Sequence, residues 1–292
     1  MPFKKAEGAI RTRFSALSLV LVLAISMPAP TAAAETDLKP EAAQGYDRYV
    51  QLTEQRIKAE LTPGGTFLQV DGLPEPLRTE AYARLQRGEV VTSRLRTSDP
   101  SGSARTPDAL IHHWVGTIFI PGASLNQVLT LLRNYDRHNE YFKPEVVKSK
   151  TIAHTGDDFK VYYRLMRKKV ITVVLDTDYD VHYHSLDAAH AYSDSHTTRV
   201  AQVEHPGEPD ERDLTPGKDG GFLWRLDSYW RFFDNGHGVY VQCEAVSLTR
   251  DIPTGLHWLI GPFVESIPRE SLAFTLESTR AAVERGSSQA SR

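Results

Sequence analysis

The ionisable side chains of this chain cluster where spacing alone brings them together. Asp178, Asp180, His182 and His184 recur at every second residue, and His190, Asp194 and His196 follow with the same even spacing. Residues two apart share one face of a β-strand. Imidazoles and carboxylates of two adjacent strands can therefore converge on zinc or a similar ion. A solvated sheet face explains the same residues without a metal, so no metal site and no cofactor are assigned. Cys243, the one cysteine, reads as a small hydrophobe in a strand; thiolate chemistry would need a nearby cation or helix terminus. No G-x-S-x-G, H-E-x-x-H or glycine-rich phosphate loop occurs, so no catalytic residue is assigned. Arg164, Arg167, Lys168 and Lys169 make a basic hairpin tip, suited to solvent or to transient contact with anionic lipid headgroups.

The clearest binding pattern is apolar. Phe222, Trp224, Leu226, Ser228, Trp230 and Phe232 alternate with Leu223, Arg225, Asp227, Tyr229, Arg231 and Phe233, giving one aromatic face and one largely polar face. Asn235-Gly236 predicts a tight hairpin, beyond which Val241, Cys243, Ala245 and Ser247 are small. Trp224, Leu226, Trp230, Val241 and Ala245 can wall an apolar pocket, with Leu272 and Leu276 of a terminal helix opposite. A solid core between sheet and helix is the alternative. Arg231, Glu244 and Tyr229 would reach the pocket only if the strand faces were reversed. Leu256, Trp258, Ile260 and Phe263 form an apolar patch around Gly255, Gly261 and Pro262. It reads as a loop that either gates the pocket or lies under other elements.

These residues need elements to position them. Leu38 to Leu61 has the three- and four-residue spacing of a helix, and Pro63-Gly64-Gly65 stops it. Thr66 to Val70 reads as a short strand and Pro74 to Arg87 as a second helix. This pair is suited to a sheet edge, to a cavity mouth or to plain packing. Strands follow over 89–95 and 110–120, then a helix capped by Ser124 and an aromatic-bearing helical piece over 136–142. Strands over 146–154, 159–166, 170–184, 189–203, 222–233 and 239–249 make a meander bounded by turn residues. A final helix begins near Pro268, carries Leu272, Leu276, Thr279 and Val283, and ends at Gly286. The order predicts an α+β class: an antiparallel sheet curved around the last helix.

The stretch Asn134-Tyr135-Asp136-Arg137-His138-Asn139-Glu140-Tyr141-Phe142-Lys143-Pro144, leading into Glu145–Ser149, resembles the segment after the first helix of the START-like superfamily. That superfamily is also called SRPBCC, Bet v 1-like or helix-grip. Residues 250–284, from Arg250-Asp251-Ile252-Pro253 onward, are similar to its proline-containing loop and gripping helix. The likeness covers about residues 88–285. It implies a cavity beneath the long helix for lipids, sterols, quinones, polyketides or other apolar molecules. Some members are cyclases, aromatases or hydrolases, but no catalytic motif of theirs maps onto numbered residues here.

Lys4, Lys5, Arg11 and Arg13 precede an apolar run from Ser15 to Met27, and Ala32-Ala33-Ala34 supplies a small-x-small site. This predicts a signal peptide over 1–34, cleaved after Ala34, and a periplasmic or secreted protein. The run is shorter than the roughly 20 residues of a membrane span. The segment holds four basic residues and one acid, so its removal takes the net charge from −3 to −6. That field does not attract nucleic acid. With one cysteine the domain must rest on its hydrophobic core. The expected organisation is an N-terminal helical extension over 35–87, a ligand-binding domain over 88–286 and a tail over 287–292. The expected function is an exported carrier for a hydrophobic small molecule or lipid. The alternatives are a cyclase- or hydrolase-type enzyme using the same cavity, or a partner-binding module with a filled core.

Overall fold

The computed structural model describes residues 36–102, 104–169, 171–252 and 257–290, with backbone alone for 257–265 and 288–290. The expected signal segment lies outside the described residues.

In chain order the elements are β1 (Thr36–Asp37), α1 (Pro40–Glu60), a 3-10 turn (Gln69–Gly72), α2 (Leu77–Gln86), β2 (Val91–Arg94), β3 (Ala109–Pro121) and α3 (Leu125–Arg133). A 3-10 turn (Tyr135–Arg137) and α4 (His138–Tyr141) lead into β4 (Val146–Thr155), β5 (Asp158–Lys168), β6 (Thr172–Ser185) and β7 (His190–Glu204). The chain continues with β8 (Arg212–Asp213), β9 (Lys218–Asp219), β10 (Arg225–Asp234), β11 (Gly238–Arg250) and α5 (His257–Ala290). α3 starts as its sequence predicts. Ser124 Oγ accepts from the Gln127 backbone at 3.3 Å, and Gln127 Oε1 accepts from the Ser124 backbone at 2.8 Å, a reciprocal cap.

The main sheet is antiparallel in the order β2-β3-β11-β10-β7-β6-β5-β4, with β8 paired to β7. The Asn235-Gly236 turn pairs β10 with β11 so that Trp230 faces Cys243 and Ser228 faces Ala245. α5 lies against one face of this sheet. Leu272 and Leu276 share a cluster there with Ile118, Phe232, Val239 and Val241. The close approach depends on Gly116 of β3: a Cβ at that position would lie 2.8 Å from a Leu276 methyl carbon. The strand order and terminal helix are those of the α+β helix-grip architecture that the START-like resemblance implies.

The N-terminal helices pack against the sheet, and α2 also meets Val91 of the edge strand β2. They cover the opposite, outer face of the sheet. α1 buries Tyr46, Tyr49 and Ile57 against Tyr229, Val246 and Leu248, and α2 buries Ala81 and Leu85 against Phe119 and Tyr240.

Three elements differ from the sequence reading. Residues 66–70 are not a strand: Asp71 accepts from the Leu68 backbone at 3.3 Å and turns the chain into a 3-10 helix. β10 starts at Arg225, three residues late, because the Gly220-Gly221 turn (φ +67° at Gly221) precedes it. α5 starts at His257 and ends at Ala290. The patch expected as a loop is therefore helical in its backbone from His257 on, and the helix passes Gly286. Leu259, Phe263 and Ile267 recur every four residues. Gly261, Pro262 and Pro268 all lie within this helix.

Candidate functional site

β10 shows where the site lies. Its outward residues Asp227, Tyr229 and Arg231 are buried, while its inward residues Leu226, Ser228 and Trp230 are only half-buried. An inner face more accessible than the outer one means that the space beneath it is not filled. That space is a cavity of about 480 Å³ between the concave sheet face, α5 and the segment from α3 to β4.

Of the wall residues expected from sequence, Leu226, Trp230, Ala245 and Leu272 line the cavity. Val241 and Leu276 do not; they close the packed cluster behind it. Trp224 is also elsewhere, because it precedes β10 and escapes the alternation. Its indole N–H donates to Asp219 Oδ1 at 3.1 Å, and its ring packs with the α1 cluster. Arg231, Glu244 and Tyr229 are on the outer face, as the chosen strand parity requires. Of the gate candidates, Leu256 lies outside the described residues, and Trp258, Ile260 and Phe263 are described in backbone only. The basic tip is largely neutralised: Arg164 pairs with Asp176 and Glu211, Arg167 with Glu145 and Glu270, and Lys169 with Glu270.

Much of the lining lies outside the expected wall set, although Ser228 and Ser247 belong to the strand faces that the sequence singles out. Tyr135, His138, Tyr163, Tyr179 and Tyr183 make one wall, and Trp114, Ser193, Ser195, Ser228 and Ser247 run across the sheet. The serine row follows from the register: Ser228 pairs with Ser195 on one side and Ala245 on the other, and Ala245 pairs with Trp114. Period two within β6 and β7 carried this signal, but only the strand pairing joins it to β10. The four serine hydroxyls have no hydrogen-bond partner among the described residues. They are small polar points on an otherwise apolar surface.

Ionisable groups are segregated. Glu145, Arg167, Arg250 and Asp251 line the end where β5, β6 and β11 meet the start of α5, and Arg167 is paired there. Deeper in, burial lowers the His138 pKa to about 4 and pushes the Tyr135 and Tyr163 phenols well above their usual range. Burial also raises the Cys243 thiol, which lines the cavity and so lacks thiolate character. These shifts favour the neutral forms of these four groups, an environment for an uncharged guest.

The histidine-acid run forms ion pairs, with Asp194 shared by His184 and His196. His182 pairs with Asp158 at 2.7 Å and His184 with Asp194 at 3.0 Å. His196 sits between Asp227 (2.8 Å) and Asp194 (3.3 Å), which raise its pKa to about 10. Among the described residues no group of three or more His, Cys, Asp or Glu could hold a metal ion. No helix of the described residues is long and apolar enough to cross a membrane.

No protein-family model and no curated protein matches the chain. Solved structures do. The STAR-related lipid transfer protein (fragment 25–204) from Xanthomonas axonopodis is 17% identical with a TM-score of 0.42, and the match covers 66% of this chain and 98% of that one. Human STARD10 is 10% identical with a TM-score of 0.40, over 71% and 80% of the two chains. The Zhui aromatase/cyclase from Streptomyces sp. R1128 is 12% identical with a TM-score of 0.38, over 60% and 95%.

Proposed function

We propose that the protein is an exported carrier that holds a hydrophobic small molecule or lipid in the cavity between sheet and α5, without transforming it. The observation that carries this reading is the half-buried inner face of β10 beneath a cavity of about 480 Å³. Transfer of apolar surface from water, at roughly 25 cal/mol per Å², would drive uptake. The serine hydroxyls and tyrosines would orient the guest.

Native mass spectrometry of the protein purified from its own cells tests this. A discrete added mass, lost on denaturation and identified as an apolar compound, is expected. A bare polypeptide that takes up nothing from a lipid extract would contradict the reading. The same spectrum tests export, since a chain beginning at Glu35 is expected and one retaining residues 1–34 is not.

A further inference from the structure

Tyr163 and His138 stand together in the cavity wall, and the hydrogen bond between them has a fixed direction. His138 Nε2 lies 3.0 Å from the Leu132 carbonyl oxygen. A carbonyl only accepts, so this nitrogen carries the ring proton. Burial keeps the imidazole neutral, which leaves Nδ1 as a bare acceptor. The Tyr163 hydroxyl is 2.7 Å from that nitrogen and must donate its single proton to it. The phenol oxygen is then left with lone pairs alone.

We infer that this end of the cavity recognises a hydrogen-bond donor, and that the guest is a neutral apolar molecule whose hydroxyl donates to the Tyr163 oxygen. The inference rests on the carrier reading and specifies its ligand. The surroundings fit it. Tyr135 and Tyr183 are paired hydroxyl to hydroxyl at 2.9 Å. The charged lining residues are grouped near the start of α5, and among the described residues no charged side chain bonds Tyr163. The free hydroxyls of Ser193, Ser195, Ser228 and Ser247 can donate or accept and serve further oxygens of the guest. A guest without a donor leaves the Tyr163 oxygen unpaired in an apolar wall, and sites of that kind reject the analogue lacking the group.

The test uses two fluorescent probes on one ring system that differ by a methyl group, 1-hydroxypyrene and 1-methoxypyrene, titrated into the whole protein at about pH 6, well below phenol ionisation. The hydroxyl probe should bind about fivefold to tenfold more tightly, the increment of one neutral hydrogen bond. Tyr163→Phe keeps the ring and should bring the ratio to about one. His138→Leu frees the Tyr163 proton for donation and should shift preference toward the ether, a change that lost packing alone would not produce. Equal affinities in the wild-type protein, or an unchanged ratio in Tyr163→Phe, would overturn the inference and leave the carrier reading standing. Failure of both probes to bind the wild-type protein would overturn both.

Discussion

Trp230 and Phe232 are neighbours on the inner face of β10, with stacked rings whose centroids are 6.2 Å apart, yet their surroundings differ. Phe232 is fully buried in the packed cluster behind the cavity, whereas Trp230 faces the cavity. Truncating an aromatic in a filled core costs about 3–5 kcal/mol. Phe232→Ala should fall in that range. Trp230→Ala should cost less than about 3 kcal/mol, because much of its ring already lacks packing partners. Urea denaturation of both variants decides the matter; equal losses would mean that the space beside Trp230 is filled. The alternation from Leu226 to Phe232 is legible in the sequence, but which of its two faces lines the cavity depends on what packs against each. The place of Trp224 is not legible, because the apolar run begins before the strand does and the Gly220-Gly221 turn divides them.

At the scale of elements, α1 is the part least visible from sequence. Its spacing predicts a helix, but nothing local says that its polar residues will meet a buried polar sheet face. There Tyr46 bridges Asp227 (2.6 Å) and the Val246 carbonyl (2.8 Å), and Tyr49 bonds His113 at 2.9 Å. Glu244 accepts from Arg56 and lies 2.7 Å from His113. Although burial opposes it, the cations and hydrogen bonds around Glu244 hold its pKa below the usual carboxylate value. Removing one partner of such a buried network is costly, so Glu244→Ala should lose about 3 kcal/mol in a denaturant titration, and a loss near zero would contradict this account of α1. Two histidines contribute opposite arms of the pH dependence near neutrality. His196, raised to about 10 by its carboxylates, contributes stability that is complete below about 6.5 and is lost as pH rises toward 10. His138, lowered to about 4, stays neutral in the fold while the unfolded chain takes up a proton, so stability falls as pH drops below about 6.5. The stability curve should peak near the ordinary histidine value of about 6.5. His196→Gln should flatten its alkaline arm; an unchanged alkaline arm would remove His196 from the explanation.

At the scale of the molecule, the sheet is clothed on both faces for different reasons. The outer face is sealed by α1 and α2 through charge pairs, hydroxyls and apolar contacts. The inner face is only partly sealed by α5 and keeps an apolar space with a few hydroxyls in it. A fold whose sole requirement was stability would fill that space, since voids forfeit packing energy. The meander and the terminal helix are legible in the sequence because their periodicities are strong. Whether the helix and sheet meet or stay apart is not legible, because it depends on residues such as Ser228, Ala245 and Gly116 that are individually ordinary and informative only in register. The most direct test of the central claim is titration of the apolar fluorophore N-phenyl-1-naphthylamine into the wild-type protein and into Ala245→Trp, whose indole would occupy the cavity from the sheet side. Saturable uptake by the wild-type protein, and none by a variant that remains folded, is the predicted result. No uptake by the wild-type protein, or equal uptake by both, would contradict the account.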